Sequence, residues 1–469
     1  MPVNNNLLAS SQIHIPSELV KFLKQDTYSL LIKGHAGTGK TTFALSMLRE
    51  MKVDKNCLYM STRVSPDQLF QYHPWLGEIF ALPSKSSPTD APDTPDTSTS
   101  QPTIIDARLD EPSSLFERIT NELMDVKAPT IILDTWEAIS YFMDKDALMN
   151  NARVLQTWRE RAGAKLIFIS ESPDDKTFDF LVDGVVELKL RHHNERRIRE
   201  IFLSKLRGIR INRPSYLFSV NHGVFYSYER HNPSEFLRHA HLLIPNKKSK
   251  DASTTNEYIS SGYHEFDDLL DGGLPHGCVV SIELDPNVNA KIVLAFLSKI
   301  FSNFVNNQDI LILQSLENAG IELMERHLKS KETSHDLVSI FKFSHNPNTK
   351  EPHKDTTSQI QETISSLKKK FPKKRMLTMI SSDMIEEIKL KRELSSFLYF
   401  IKTNSAISVF VSRRTTDNLP HMSQHSDIHL RITDINGISL IQPEVPWSHL
   451  YAMVLRHGKE SYIDLDPVV

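Results

Sequence analysis

Residues 28–48 read YSLLIKGHAGTGKTTFALSML, and their pattern decides the fold. An apolar strand is followed by Gly34, Gly39, Lys40 and Thr41 at the G-x-x-x-x-G-K-[ST] spacing, and then by residues with a helical pattern. The glycines let the loop turn tightly, so that backbone N–H groups and the positive end of the next helix face a phosphate chain. This makes Gly34, His35, Ala36, Gly37, Thr38, Gly39, Lys40, Thr41 and Thr42 the candidate binding residues for ATP. Lys40 is expected to reach the β- and γ-phosphates, and the Thr41 hydroxyl to coordinate Mg²⁺.

Such a loop needs a second carboxylate for its metal. APTIILDTWEAIS, residues 128–140, offers Asp134 at the end of an apolar strand, where it can reach out at the carboxyl edge of a sheet. The same aspartate could instead cap the helix that DTWEA begins.

Strand-like runs recur along the chain: NCLYMST, TIILDTW, KLIFISES, GVVELKL and EIFLSKL, then CVVSIEL, DILILQS, RMLTMISS and ISVFVSR. Helical patterns separate them, which predicts α/β architecture with mainly parallel sheets covered on both faces. At about 100 to 200 residues per domain, a chain of 469 residues holds two or three. The tract 83–103 is built almost wholly of Pro, Ser, Thr and Asp and is expected to be a disordered insertion. The polar tract 246–258 falls where a linker belongs, and 346–359 is expected to be a long loop. The domains are therefore set at 1–228 and 257–469, joined by a linker over 229–256.

Composition excludes some classes. The net charge of −3 gives no global attraction to nucleic acid or to an anionic membrane. Two cysteines, Cys57 and Cys278, lie in separate apolar runs, which argues against a disulfide framework or a thiolate zinc site and suits a reducing cytoplasm. No apolar run approaches the roughly 18 residues of a membrane span.

The order of strand, acidic turn, DGVVEL, arginine-rich hairpin and KLRG over residues 165–208 resembles the RecA/KaiC-like ATPases. SLLIKGHAGTGKTTFAL, YMSTRVSPDQLFQYHPWL and LSKLRG resemble more narrowly the archaeal gas-vesicle regulators of the GvpD type, over residues 16–228. The resemblance implies a RecA-like fold, rings or filaments of identical subunits, and ATP between neighbours. It also implies that Lys205 and Arg207 reach the neighbour's γ-phosphate; by strand alternation alone they could equally form a solvated face. Where KaiC-type ATPases carry a catalytic Glu pair after the second strand, this chain has Ser61, Thr62 and Arg63. Glu137 and Glu171 are the candidate substitutes, Glu171 at a position where relatives sense the γ-phosphate, although either could be an ordinary surface carboxylate. Slow hydrolysis, or ATP used as a binding switch, is the implied outcome.

A second lead-in of the same kind, SGYHEFDDLLDGGLPHG, opens at Ser261 and runs into CVVSIEL. Laid on the family pattern, Asn287, Val288, Asn289, Ala290 and Lys291 occupy the places of Gly, Thr, Gly, Lys and Thr, so this copy is expected to keep the fold without the site. The strand ending toward Asp383 resembles a second Walker-B strand. His421 and His425 have metal-pair spacing only on a helix, and no metal is assigned to them. Two functions remain: an ATP-binding regulator whose nucleotide state controls assembly or a protein partner, or an ATP-dependent nucleic-acid-binding protein using RHHNERRIRE and KKKFPKKR.

Overall fold

Tyr28–Lys33 forms β1, and all six of its side chains are buried at the centre of a nine-stranded sheet. The computed structural model describes residues 13–53, 55–80, 102–141, 143–239, 258–314, 325, 336–341, 356–381, 391–414, 426–456 and 462–469. In chain order the sheet contains β1, β2 (Cys57–Ser61), β3 (Thr103–Asp106), β4 (Thr130–Asp134), β5 (Lys165–Ser170), β6 (Gly184–His193), β7 (Arg196–Leu206), β8 (Ser215–Ser219) and β9 (Tyr226–Ser227). Their spatial order is β3-β2-β4-β5-β1-β6-β7-β8-β9. Pairing is parallel from β3 to β6 and antiparallel from β6 to β9.

Burial on both faces explains the continuous apolar strands. One face packs Leu30 and Ile32 with Phe43, Ala44 and Met47 of the helix Lys40–Glu50, and with Phe218 and Phe225. The rings of Phe43 and Phe225 lie 4.6 Å apart. On the other face, Leu31, Leu133 and Phe168 meet Trp136, Phe178 and the helices Pro112–Asp125 and Lys145–Ala162 through Leu115, Ile119 and Leu155. Each such side chain contributes about 1.5–3 kcal/mol on burial.

The hairpin of β6 and β7 closes at the pair His193 and Arg196. Asn194 and Glu195 between them have φ of 47° and 64°, the two left-handed residues of a two-residue hairpin turn.

The second sheet repeats this plan. Its strands are β12 (Cys278–Leu284), β13 (Ile310–Gln314), β14 (Val338–Phe341), β15 (Met376–Ser381), β16 (Ile407–Arg413), β17 (Ile428–Ile435), β18 (Ile438–Val445), β19 (Leu450–Arg456) and β20 (Tyr462–Val468), after a ribbon of β10 (Tyr258–Ile259) and β11 (Leu274–Pro275). The order β14-β13-β15-β16-β12-β17-β18-β19-β20 is that of the first sheet, strand for strand, when β12 stands for β1. The chain therefore holds two tandem α/β domains of the RecA-like kind.

The chain divides into one compact unit of residues 1–228 with 468–469, and another of 229–467. Within the stretch read as a linker, Pro233–His239 is helical and Phe236 is buried in the same core as the apolar face of the helix Lys291–Asn306. The helix Thr356–Lys370 begins inside the expected loop 346–359. Residues 83–101 of the expected insertion, 240–256 of the linker, Asp383, His421 and His425 lie outside the described residues. No helix among the described residues is long and apolar enough to cross a membrane.

Candidate functional site

The loop after β1 is shaped by its glycines. A methyl on Gly34 would lie 2.5 Å from the Leu188 carbonyl oxygen, so the chain passes β6 only with a bare Cα. Gly37 and Gly39 take φ of 78° and 98°, which L-residues adopt at a cost, so the loop makes tight turns there. Gly39 then caps the helix Lys40–Glu50, whose amino end faces the loop.

Lys40 is buried. Its ammonium donates to the Gly34 carbonyl at 2.7 Å and to the His35 carbonyl at 2.9 Å, bridging the loop from inside. Burial pushes its pKa below the ordinary lysine value, while the nearby carboxylates Glu171, Asp134 and Glu137 push it back up.

Asp134 ends β4 where the sequence places it. Its Oδ2 accepts from the Thr41 hydroxyl and from the Tyr59 hydroxyl, each at 2.7 Å. Burial raises its pKa above the ordinary carboxylate value, against those hydrogen bonds. The backbone around it is fixed by Thr62, whose N–H and hydroxyl donate to the Asp134 carbonyl at 2.7 and 2.9 Å. The Thr62 hydroxyl oxygen in turn accepts from the Thr135 N–H at 2.7 Å.

Thr41 and Asp134 supply the hydroxyl and carboxylate that Mg²⁺ takes alongside water and phosphate. Thr135 Oγ1 and Glu137 Oε2 are buried nearby in sequence without a hydrogen-bond partner, and oxygen donors so left suit a hard cation and its waters. The residues present therefore fit Mg²⁺.

Glu137 is committed through its other oxygen, which accepts from Ser170 Oγ at 2.7 Å and from the N–H groups of Glu171 and Ser172 at 2.8 and 3.1 Å. Glu171 forms an ion pair with Arg63. Lys40, Thr41, Asp134, Glu137, Glu171 and Arg63 thus share the carboxyl edge of the sheet.

Lys205 and Arg207 lie elsewhere. Lys205 pairs with Val185, level with Leu31, and Arg207 N–H donates to the Asp183 carbonyl, level with Ser29 at the start of β1. At about 3.3 Å per residue, Arg207 stands about 16 Å along the strand from Gly34. Lys205 donates to the Asp179 and Val182 carbonyls at 3.0 and 2.6 Å, and Arg207 pairs with Asp183 at 2.8 Å.

Arg199 was not singled out by the sequence. It pairs across the sheet with Leu190 and Phe218 and falls on the face of Leu188 and Ile201, the face that carries the loop. Its Nε is buried without a partner, and burial, then Arg197, push its pKa down. Counting by twos from Leu203 and Ile201 places this cation on a core face, and that is the signal that could have found it.

The second unit's loop has a different chemistry. No residue of 285–290 takes a positive φ, and Val288 and Ala290 are buried. Arg413 donates to the Pro286 and Val288 carbonyls at 3.3 and 3.0 Å, so the loop turns acceptors toward a built-in cation. Lys291 is drawn away to Ser234 Oγ at 3.0 Å.

Residues 19–204 match the family model described as GvpD gas vesicle protein, P-loop domain. The chain is 26% identical to Protein GvpD1 of Halobacterium salinarum over 302 residues, covering 62% of this chain and 54% of that protein. It is 23% identical to Protein GvpD2 of the same organism over 311 residues, covering 63% and 60%. It is 24% identical to the circadian clock oscillator protein KaiC of Prochlorococcus marinus over 321 residues, covering 63% and 57%. The chain spans little more than half the length of these curated relatives. With the glycine loop, its lysine and threonine, and the strand-end aspartate assembled as described, residues 19–204 form a P-loop domain similar to that of the GvpD proteins, and the chain as a whole is similar to GvpD and KaiC proteins.

Proposed function

We propose that the chain binds one ATP with Mg²⁺ at residues 34–42 and uses its nucleotide state to control assembly or the binding of a protein partner. The contact of Thr41 with Asp134 at 2.7 Å, beside a loop already bridged by Lys40, carries this reading. Lys40 would exchange its two loop carbonyls for phosphate oxygens, and Thr41 with Asp134 would hold the metal. When bound, Mg²⁺ neutralises charge on the phosphates.

Hydrolysis is expected to be slow. Of the carboxylates near Lys40, Asp134 is engaged by two hydroxyls and Glu137 by Ser170 and two N–H groups, while Glu171 rests in an ion pair with Arg63 that must open before it can take a proton. The position of Lys205 and Arg207, far along the strand from their own loop, supports action on a neighbouring subunit's nucleotide. The second unit is proposed to bind none, because Arg413 and buried Val288 stand in its loop.

The nucleic-acid reading draws on the β6–β7 hairpin. Its cations are partly matched, Lys189 with Glu187 at 3.2 Å and Arg191 with Glu200 at 2.9 Å, which favours a protein surface. Titration of DNA and RNA across salt separates the two, since phosphate binding weakens as salt rises. ATP binding itself is tested with Lys40→Ala, which should abolish Mg²⁺-dependent affinity; retained affinity contradicts the site.

A further inference from the structure

Arg63 stands where a carboxylate would serve the reaction, and its surroundings give it a different task. Ser61 Oγ donates to the Val64 carbonyl at 2.6 Å, and Thr62 is locked to Asp134, so the main chain on both sides of Arg63 is held at the site. Its guanidinium pairs with Glu171, whose own N–H is clamped by Glu137. The Arg63 side chain is 54% exposed and that of Glu171 23%, so the arginine is the partner free to swing while the carboxylate stays put.

Thr62, next to Arg63, bonds Asp134, whose carboxylate meets Thr41, and Glu171 is bonded through its N–H to Glu137, so the pair lies at the same sheet edge as the phosphate loop and both charges act on Lys40. The carboxylates of Asp134, Glu137 and Glu171 surround that lysine's field, and the terminal phosphate of a nucleoside triphosphate would enter it as a further anion. Like charges so close repel unless a cation stands between them. A guanidinium binds phosphate through the same two-pronged fork that it offers a carboxylate, and the terminal phosphate carries the larger charge.

Building on the nucleotide reading above, we infer that Arg63 is the chain's own ligand for the terminal phosphate, and that its pair with Glu171 is a latch which a triphosphate opens and a diphosphate leaves closed. With a diphosphate or an empty site, Arg63 holds Glu171. With a triphosphate, Arg63 moves to the terminal phosphate and Glu171 is released to accept a proton. In the step that follows, a water oxygen bonds to the γ-phosphorus as its bond to the β,γ-bridging oxygen breaks. That electron pair leaves on the diphosphate, and the water proton passes to Glu171 and then to solvent. The latch makes each chain discriminate ATP from ADP before any neighbour is involved.

The full-length chain decides this, titrated with fluorescent ATP and ADP analogues in Mg²⁺ and assayed for phosphate release. Arg63→Ala should weaken ATP binding by about tenfold or more, the scale of a lost charged hydrogen bond, with ADP affinity unchanged. Arg63→Lys should restore part of the ATP preference, since it keeps the charge and loses the fork. Glu171→Gln should bind ATP at least as tightly as the parent, its competing carboxylate gone, and release phosphate about a hundredfold more slowly. Loss of ATP and ADP affinity together in Arg63→Ala, or of neither, overturns the latch while leaving the site intact. So does phosphate release at the parent rate in Glu171→Gln. A parent chain that binds neither nucleotide, or a Lys40→Ala chain that binds both as the parent does, overturns the site and the latch together.

Discussion

A methyl added to Gly34 would meet the Leu188 carbonyl oxygen at 2.5 Å and Thr38 Oγ1 at 2.8 Å, whereas one added to Gly37 would meet nothing within 4 Å. The two glycines therefore serve different ends. Gly34→Ala forces backbone apart and should lower stability by about 1–3 kcal/mol in thermal melting, with ATP binding lost. Gly37→Ala carries only the strain of φ 78°, about 1–2 kcal/mol, and should keep the fold with weakened binding. Burial, and then Asp427, push the Cys278 thiol up to about 12, and Cys57 is buried too. Neither should react with a thiol reagent at neutral pH until the protein unfolds, and fast labelling of the native chain contradicts that burial. The positions of Lys40 and Thr41 were legible because a short motif fixes them in the loop, and that of Asp134 because it ends an apolar strand. The pairing of Arg63 with Glu171 was not, because the two lie more than a hundred positions apart, whereas the inward face of Arg199 could have been read from strand alternation.

Strands flanked by helices were legible as elements, since strands buried on both faces read as unbroken apolar runs. The tail of the second sheet, β17 to β20, was not legible from alternation of strands with helices, because its strands follow one another without helices between them. The helix Pro233–His239 was hidden in a polar stretch whose one decisive residue is Phe236. The helix Lys291–Asn306 carries Lys299, whose ammonium sits 4.0 Å from the centre of the Tyr263 ring. Burial lowers its pKa to about 8, against Asp464 and Asp267. Because the folded value lies below the ordinary 10.5, the unfolded chain binds more protons between them, and stability rises as pH climbs through that window. Below about 8 the cost of the buried charge is complete. Lys299→Met should therefore stabilise the second unit by about 1–3 kcal/mol at pH 7, measured by denaturant unfolding, with the gain fading toward pH 10.5. A gain independent of pH would show that the charge carries no such cost.

The same nine-strand order appears twice in the chain, once around a glycine loop bridged by Lys40 and once around a loop bridged by Arg413. Topology repeats more readily than chemistry, since the sheet needs only apolar strands while the site needs bare backbone at two or three positions. If neighbours complete the site, mixing Lys40→Ala chains with Arg207→Ala chains should restore part of the activity that each lacks alone. Mixed oligomers without restoration would remove Arg207 from the proposed role. The central claim is one nucleotide site in a chain with two folds built for one. Calorimetric titration of the full-length chain with ATP and Mg²⁺ tests it most directly. One ATP per chain, falling to none in Lys40→Ala, is the predicted result; two per chain, or one that survives Lys40→Ala, would contradict it.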